Sequence, residues 1–272
     1  MTDNYSIING QFIKNSEATV LISDLAVQRG YGIFDFFVSV KGKPVFLEDH
    51  LNRFYNSVAT MRLAPIPDRT ELTKLIYKLL ELNNMPDSGI RITVTGGYSP
   101  DGYGLAAANV LITQNVFVYD RASFDKGTSL VTHQYQRQLS QVKTIDYLQA
   151  VYLQPFIKEN NADDVLYHNN GELRECPRAN FFLVSKDNEL VTPDCDVLWG
   201  VNRKKILSFE EFGAKATSVK LSDVETAKEA FITSTTKIVL PVLAINGKRI
   251  GNGKPGELTT KLFEKLYALR MG

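Results

Sequence analysis

Between Asp49 and Leu63 the apolar residues Leu51, Phe54, Val58 and Met61 recur three and four positions apart, the spacing that gathers side chains on one face of a helix. Leu72, Leu75, Ile76, Leu79 and Leu82 repeat the pattern, and Asn83-Asn84-Met85-Pro86 ends it, so a second amphipathic helix is predicted there. From Gly89 to Thr95 the period changes to two: Ile90, Ile92 and Val94 alternate with Arg91, Thr93 and Thr95. That strand has one apolar face, and Arg91 lies on the other, toward solvent or a cleft. Residues 5–9, 34–40 and 109–113 read as further strands. Thr95 to Gly104 is rich in turn residues but matches neither G-x-x-x-x-G-K-[ST] nor G-x-G-x-x-G, so a plain or substrate-covering loop is favoured over a nucleotide site.

The composition shifts at Tyr119-Asp120-Arg121-Ala122-Ser123-Phe124-Asp125-Lys126-Gly127, the best linker in the chain. The domains expected are a small α/β unit over residues 1–118, a linker over 119–127 and a larger unit over 128–272. In the larger unit the pattern predicts a helix directly after Lys143, interrupted or ended near Pro155, and strands near 164–167, 180–185, 189–192, 230–234 and 239–245. A helix over 201–212 stops at Gly213, Ser222 to Glu225 has capping-box spacing, and 255–270 closes as an amphipathic helix.

Composition excludes several classes of function. The 272 residues carry 31 Lys plus Arg against 30 Asp plus Glu, so a net charge of +1 gives no general attraction to nucleic acid or anionic membrane. No apolar run is long enough to span a membrane and the start of the chain lacks the features of a secretory signal, which points to the cytoplasm. Cys176 and Cys195 are too few for a disulfide framework, and His50, His133 and His168 stand too far apart for zinc spacing, so no metal is expected. Each histidine reads as a surface or hydrogen-bonded structural residue.

The chemistry on offer centres on Lys143 and Glu175. A lysine that forms an imine with an aldehyde cofactor, and an acid that holds a pyridine nitrogen, are the two groups that pyridoxal phosphate chemistry most needs. Around them run Arg29-Gly30-Tyr31-Gly32-Ile33-Phe34-Asp35, His50-Leu51-Asn52-Arg53-Phe54, Lys143 to Leu148, Glu175 to Phe182, Leu198-Trp199-Gly200-Val201-Asn202-Arg203, and Phe231 to Thr236 before Pro241. In that order and over nearly the whole length, these segments resemble the class IV, fold-type IV pyridoxal-phosphate aminotransferases. That family includes branched-chain aminotransferases, D-amino-acid transaminases and aminodeoxychorismate lyases.

The resemblance implies two domains, an α+β small domain and a larger pseudo-barrel domain, with pyridoxal 5'-phosphate in the cleft between them and a homodimer whose small domain helps close the partner's site. It makes Lys143 the residue that binds the cofactor aldehyde and moves the substrate's alpha proton. Glu175 would hold the pyridine nitrogen protonated, and Asn180 would orient neighbours of the ring or serve as an ordinary strand-end amide. Arg53 resembles the phosphate arginine, whose planar fork donates two hydrogen bonds to one phosphate. Val201 and Asn202, opening a helix, would offer backbone N–H groups to the same phosphate, and Thr235 with Ser234 or Thr236 would add hydroxyls. Tyr147, one helical turn beyond Lys143, would reach the cofactor's phenolate oxygen, and Leu198 would pack on the ring; both positions suit core residues equally.

Substrate choice is where this chain departs from its relatives. D-amino-acid transaminases commonly carry arginine and histidine in the loop where this chain has Asp101 and Tyr103, and a tyrosine where Val27 stands. Branched-chain aminotransferases usually have glutamate in the motif occupied here by Phe34-Asp35-Phe36, and lack an arginine at Arg29. A carboxylate entering a partly buried site needs a cationic partner. Arg29 and Arg91, from one subunit or shared between two, are the candidates, with Arg178 or Lys237 for a side-chain carboxylate. Together they suit D-glutamate, D-aspartate or 2-oxoglutarate. The expectation is therefore a transaminase moving an amino group from an amino acid to a 2-oxo acid. The alternatives are a lyase of the aminodeoxychorismate type releasing pyruvate, a branched-chain aminotransferase, and a protein that keeps the fold without catalysis.

Overall fold

The computed structural model describes residues 3–272. They form two compact units, one taking in the chain as far as Val118 together with Val142–Asp146, the other Tyr119–Gln141 and Tyr147–Gly272.

The first unit is built on a six-stranded antiparallel sheet: β1 (Tyr5–Ile8), β2 (Gln11–Lys14), β3 (Gly32–Val40), β4 (Lys43–Pro44), β5 (Ser88–Thr95) and β6 (Asn109–Val116), in the order β2-β1-β6-β5-β3-β4. Asn9 and Gly10 both have positive φ, 51° and 81°, the backbone a tight hairpin between β1 and β2 demands. The helices are α1 (Leu25–Arg29), α2 (Leu47–Thr60) and α3 (Arg69–Asn83). Asp68 caps α3 by accepting from Glu71 N at 2.8 Å. Apolar stripes of α2 (Leu51, Phe54, Val58) and α3 (Leu72, Ile76, Leu79) pack with Ile7, Ile33, Phe37, Ile90, Ile92 and Val94 in one core. Fully burying such a side chain is worth roughly 1.5–3 kcal/mol, which is why the 3.6- and 2-residue periods read from the sequence end on the same core.

The second unit carries a ten-stranded mixed sheet. Its strands are β7 (Thr128–Gln134), β8 (Asp164–Asn169), β9 (Glu172–Leu173), β10 (Glu175–Cys176), β11 (Ala179–Val184), β12 (Leu190–Pro193), β13 (Lys215–Thr217), β14 (Glu229–Ser234), β15 (Ile238–Ile245) and β16 (Lys248–Arg249). The order is β13-β12-β11-β14-β15-β7-β8-β9, with β10 on β11 and β16 on β15. The helices are α4 (Ala122–Lys126), α5 (Leu148–Tyr152), α6 (Gln154–Glu159), α7 (Val201–Leu207) and α8 (Glu257–Met271).

Four expectations differ from the structure. The segment taken as a linker contains α4, whose Phe124 is buried and stacks on Phe263 of α8 at 4.3 Å between ring centroids. The division at residue 128 also fails for Val142–Asp146, which belongs with the first unit because it pairs with β3. No helix directly follows Lys143; helix resumes only at Leu148, since backbone pairing with β3 outcompetes a local helix. The helix from Val201 stops at Leu207 and a 3-10 turn follows over Glu210–Phe212, which Gly213, at φ 57°, ends in the left-handed conformation expected of it.

Candidate active site

In the first unit the site is organised by β3. Phe34 N donates to the Lys143 carbonyl at 2.9 Å and Ile145 N to the Gly32 carbonyl at 3.1 Å, so the lysine's backbone is stitched to the start of β3. Gly32 permits this approach, because a Cβ there would lie 2.7 Å from the Val94 carbonyl and 3.1 Å from the Ile145 side chain. The Lys143 ammonium lies 4.5 Å from the centroid of the Phe34 ring. Arg91, on β5, brings its guanidinium to 3.7 Å from the same centroid and donates from Nε to the Thr93 hydroxyl at 3.3 Å. The negative face of an aromatic ring attracts cations, by about 0.5–1 kcal/mol at exposed sites and ~2 kcal/mol when desolvated.

The next residue of β3 projects to the other face of the sheet, where α2 packs. Asp35, 1% exposed, accepts from His50 Nδ1 at 2.7 Å and from both Nε and Nη2 of Arg53 at 2.8 Å. His50 and Arg53 are three residues apart on α2 and so reach the same carboxylate. Burial by itself raises the Asp35 carboxyl, but the charges and hydrogen bonds of Arg53 and His50 hold it below the usual carboxylate range. For His50 burial dominates and, with the Arg53 and Lys143 charges, lowers its pKa despite Asp35. The imidazole is therefore neutral at pH 7, and its hydrogen bond to Asp35 assigns the proton to Nδ1.

In the second unit Glu175, 4% exposed on β10, is surrounded by donors. Oε1 accepts from Arg137 Nη1 at 2.8 Å; Oε2 accepts from Asn180 Nδ2 and Leu198 N, each at 3.0 Å. Asn180 reaches Glu175 because β10 and β11 form a hairpin in which the two residues are direct partners. Its amide also donates to the Leu198 carbonyl at 2.7 Å, which fixes the chain approaching α7. Gly200, the cap of α7, leaves room for Asn180: a Cβ there would fall 2.1 Å from Oδ1. At the start of α7, Val201 and Asn202 are buried, and Asn202 Nδ2 donates to the Ser234 carbonyl at 2.8 Å, tying the helix to the end of β14. Ser234, Thr235 and Thr236 form the turn into β15, with Ser234 Oγ 3.3 Å from Thr236 Oγ1. Arg270 of α8 donates to the Thr235 carbonyl at 3.1 Å and braces that turn.

The structure thus gathers Lys143, Arg91 and Phe34, with Asp35, His50 and Arg53 across the strand, and separately gathers Glu175, Asn180, Leu198, Val201, Asn202 and Ser234. Arg29 ends α1, its guanidinium beside Gly102. Arg178 is exposed; Lys237 is half-buried, and burial followed by the Arg178 charge lowers its pKa. The helical spacing that linked Tyr147 to Lys143 does not exist, because residues 143–147 are not helical. Sequence reasoning does not single out Arg137, Asp35, Phe34 or Arg270 as site residues. The i, i+3 pair His50/Arg53 is the signal available for Asp35; for Arg137 and Arg270 the partners lie too far along the chain to leave one. Among the described residues no cluster of three or more His, Cys, Asp or Glu side chains suits a metal, and no helix is long and apolar enough to cross a membrane.

The family model described as amino-transferase class IV matches residues 32–245, most of the chain and both clusters. The chain belongs to the class IV aminotransferase family. It is 30% identical to the D-alanine aminotransferase of Bacillus licheniformis, over 93% of this chain and 92% of the relative. Its identity to that of Listeria monocytogenes serotype 1/2a (strain 10403S) is 26%, over 95% and 93%. The solved branched-chain amino acid aminotransferase from Escherichia coli superposes with a TM-score of 0.89 at 20% identity, covering 100% of this chain and 95% of that one, a likeness of fold. The family read from the ordered motifs is borne out, and with it the mixed α/β, fold-type IV architecture and an enzyme that transfers amino groups. Membership implies pyridoxal 5'-phosphate as cofactor.

Proposed function

We propose that this class IV aminotransferase moves the amino group of a D-amino acid, with D-glutamate and D-aspartate favoured, to a 2-oxo acid, using pyridoxal 5'-phosphate held on Lys143. The single observation that carries the reading is the placing of Lys143 and Arg91 over one ring, Phe34. A reactive amine and a carboxylate-binding guanidinium within reach of one aromatic residue are what an amino acid needs at its two ends. The full-length similarity to D-alanine aminotransferases supports the D preference.

The side chains present suit the cofactor. Arg53 gives Nε and Nη2 to Asp35 and keeps Nη1 without a hydrogen-bond partner among the described residues, an edge suited to a phosphate. Glu175 is a buried carboxylate suited to a pyridinium N–H. Asn180 and Leu198 N orient it, and Arg137 balances its charge. Val201, Asn202, Ser234, Thr235 and Thr236 would complete the phosphate cradle with backbone and hydroxyl donors, Leu198 would face the ring, and Tyr147 would meet its phenolate oxygen. When bound, pyridoxal 5'-phosphate supplies an aldehyde that condenses with amines and a ring that accepts an electron pair. Lys143 Nζ takes the proton from the substrate's alpha carbon and returns it. Arg91, with Arg29, holds the alpha-carboxylate, and Arg178 or Lys237 receives a side-chain carboxylate.

A homodimer belongs to the same reading. The helix α5 has no buried residue and exposes Leu148, Val151 and Tyr152 at 78%, 67% and 74%, an apolar face suited to a second copy.

Single-turnover mixing of the cofactor-loaded enzyme with each enantiomer of alanine, glutamate, aspartate and leucine tests the proposal. Rapid bleaching of the aldehyde-form absorbance by D-glutamate and D-aspartate, with L-enantiomers slow, is expected. Faster reaction with L-leucine than with any D-amino acid overturns the D preference.

A further inference from the structure

The charged group nearest the site that the proposed chemistry leaves unused is Asp35, a carboxylate 1% exposed on the core side of β3. Beside His50 and Arg53 the surrounding core is apolar: Phe37, on the same face of β3, and Leu51 and Phe54 of α2 are each 0–1% exposed. Replacing a buried ion pair by well-packed apolar residues is often neutral or stabilising, so fold stability alone gives little reason for a carboxylate there. The geometry gives another. Asp35 engages Arg53 along the Nε/Nη2 side at 2.8 Å for both bonds, the side-on form of a two-point Arg–carboxylate pair. The opposite edge, formed by Nη1 and the second N–H of Nη2, meets no acceptor oxygen among the described residues. His50 Nδ1–H donates to Oδ1 at 2.7 Å and fixes the carboxylate's own rotation.

We infer that Asp35 is the positioning residue for the Arg53 guanidinium: it clamps one edge so that the other is presented, already ordered, to the phosphate of the cofactor, with His50 orienting Asp35 in turn. The inference rests on the reading of Arg53 as a phosphate ligand. A free arginine side chain has many rotamers to lose on binding, and among the described residues Asp35 is the side chain that accepts from the Arg53 head. Without the clamp, that freedom is lost each time a phosphate binds. With it, the loss is met at folding. The arrangement parallels outer-shell carboxylates that orient the ligands of metal sites.

The test uses the full-length protein titrated with pyridoxal 5'-phosphate and, separately, with pyridoxal, which lacks the phosphate, following ring absorbance for binding. In wild type the ratio of the two dissociation constants measures what the phosphate adds. Asp35→Asn keeps the shape but can accept only at one oxygen; the ratio should shrink about tenfold, a loss on the scale of one charge-assisted hydrogen bond, with pyridoxal affinity unchanged. Asp35→Glu, which restores two acceptor oxygens, should recover part of it. A parallel loss for both ligands means Asp35 only supports the fold, and an unchanged or larger ratio means it does not position Arg53; either overturns the inference. Arg53→Leu separates the underlying reading, since a ratio unaltered in that variant shows that Arg53 does not serve the phosphate at all.

Discussion

The guanidinium of Arg91 lies 3.7 Å from the centroid of the Phe34 ring, and the ring is 7% exposed. The two residues sit on adjacent strands, β3 and β5, in a register that pairs Phe34 with Thr93 and Phe36 with Arg91, so the contact is a cross-strand diagonal. Replacing Phe34 with leucine keeps an apolar residue but removes the ring. The loss of about 0.5–2 kcal/mol of cation–π attraction should raise KM for the amino acid roughly two- to thirtyfold. Steady-state kinetics on Phe34→Leu check this, and an unchanged KM for every amino acid removes the ring from the positioning of Arg91.

Arg137 and Glu175 form a mostly buried pair, 15% and 5% exposed at their side chains. Arg137→Leu removes the guanidinium that donates to Glu175 Oε1. Removing one partner of a buried pair typically costs about 3–5 kcal/mol, so urea unfolding should show a loss in that range; a loss below ~1 kcal/mol would mean that the other interactions of Glu175 suffice.

Gly200→Ala should be destabilising although its backbone, at φ −63°, is open to any residue. The conflict is steric, with Asn180 Oδ1, and overpacking of this kind costs about 1–3 kcal/mol. In an Asn180→Ala background that oxygen is gone, so a double-mutant cycle should show most of the cost of Gly200→Ala disappearing. Equal costs in both backgrounds would place the clash elsewhere.

The lowered pKa of His50 makes stability depend on pH with a definite sign. The unfolded state, with an ordinary value near 6.5, binds the proton before the folded state does. Stability from the neutral, Asp35-bonded imidazole is full above that value and is lost as the pH falls through the lower folded value. The slope is at most about 1.4 kcal/mol per pH unit for one proton. Chemical denaturation from pH 7.5 to 5 should show His50→Asn falling less steeply than wild type. Parallel curves would show that His50 does not contribute.

Much of the fold is legible in the chain. The helical stripes of α2 and α3 and the alternation of β5 follow from local periodicity, because a regular element that buries one face must repeat apolar residues at its own pitch. Glu175 and Asn180 are readable together because a hairpin makes residues five apart direct partners. Residues 119–127 read as a linker because Phe124, which docks α4, stands with only Tyr119 and Ala122 among polar residues and glycine, and its partner Phe263 lies far along the chain. The stretch after Lys143 reads as a helix for a related reason: the bonds that replace helix there go to Gly32 and Phe34, more than a hundred residues earlier.

By itself the sequence determined the family, the period and face of the main elements, and the chemical identity of the lysine, the acid and the arginines. Only the tertiary structure decided what each of those charges is set against: Lys143 beside β3 and over Phe34, Arg53 across Asp35, Glu175 against Arg137. Side-chain type and local spacing are properties of neighbouring residues, whereas an ion pair or a ring contact depends on strands and helices that meet through long-range pairing and burial.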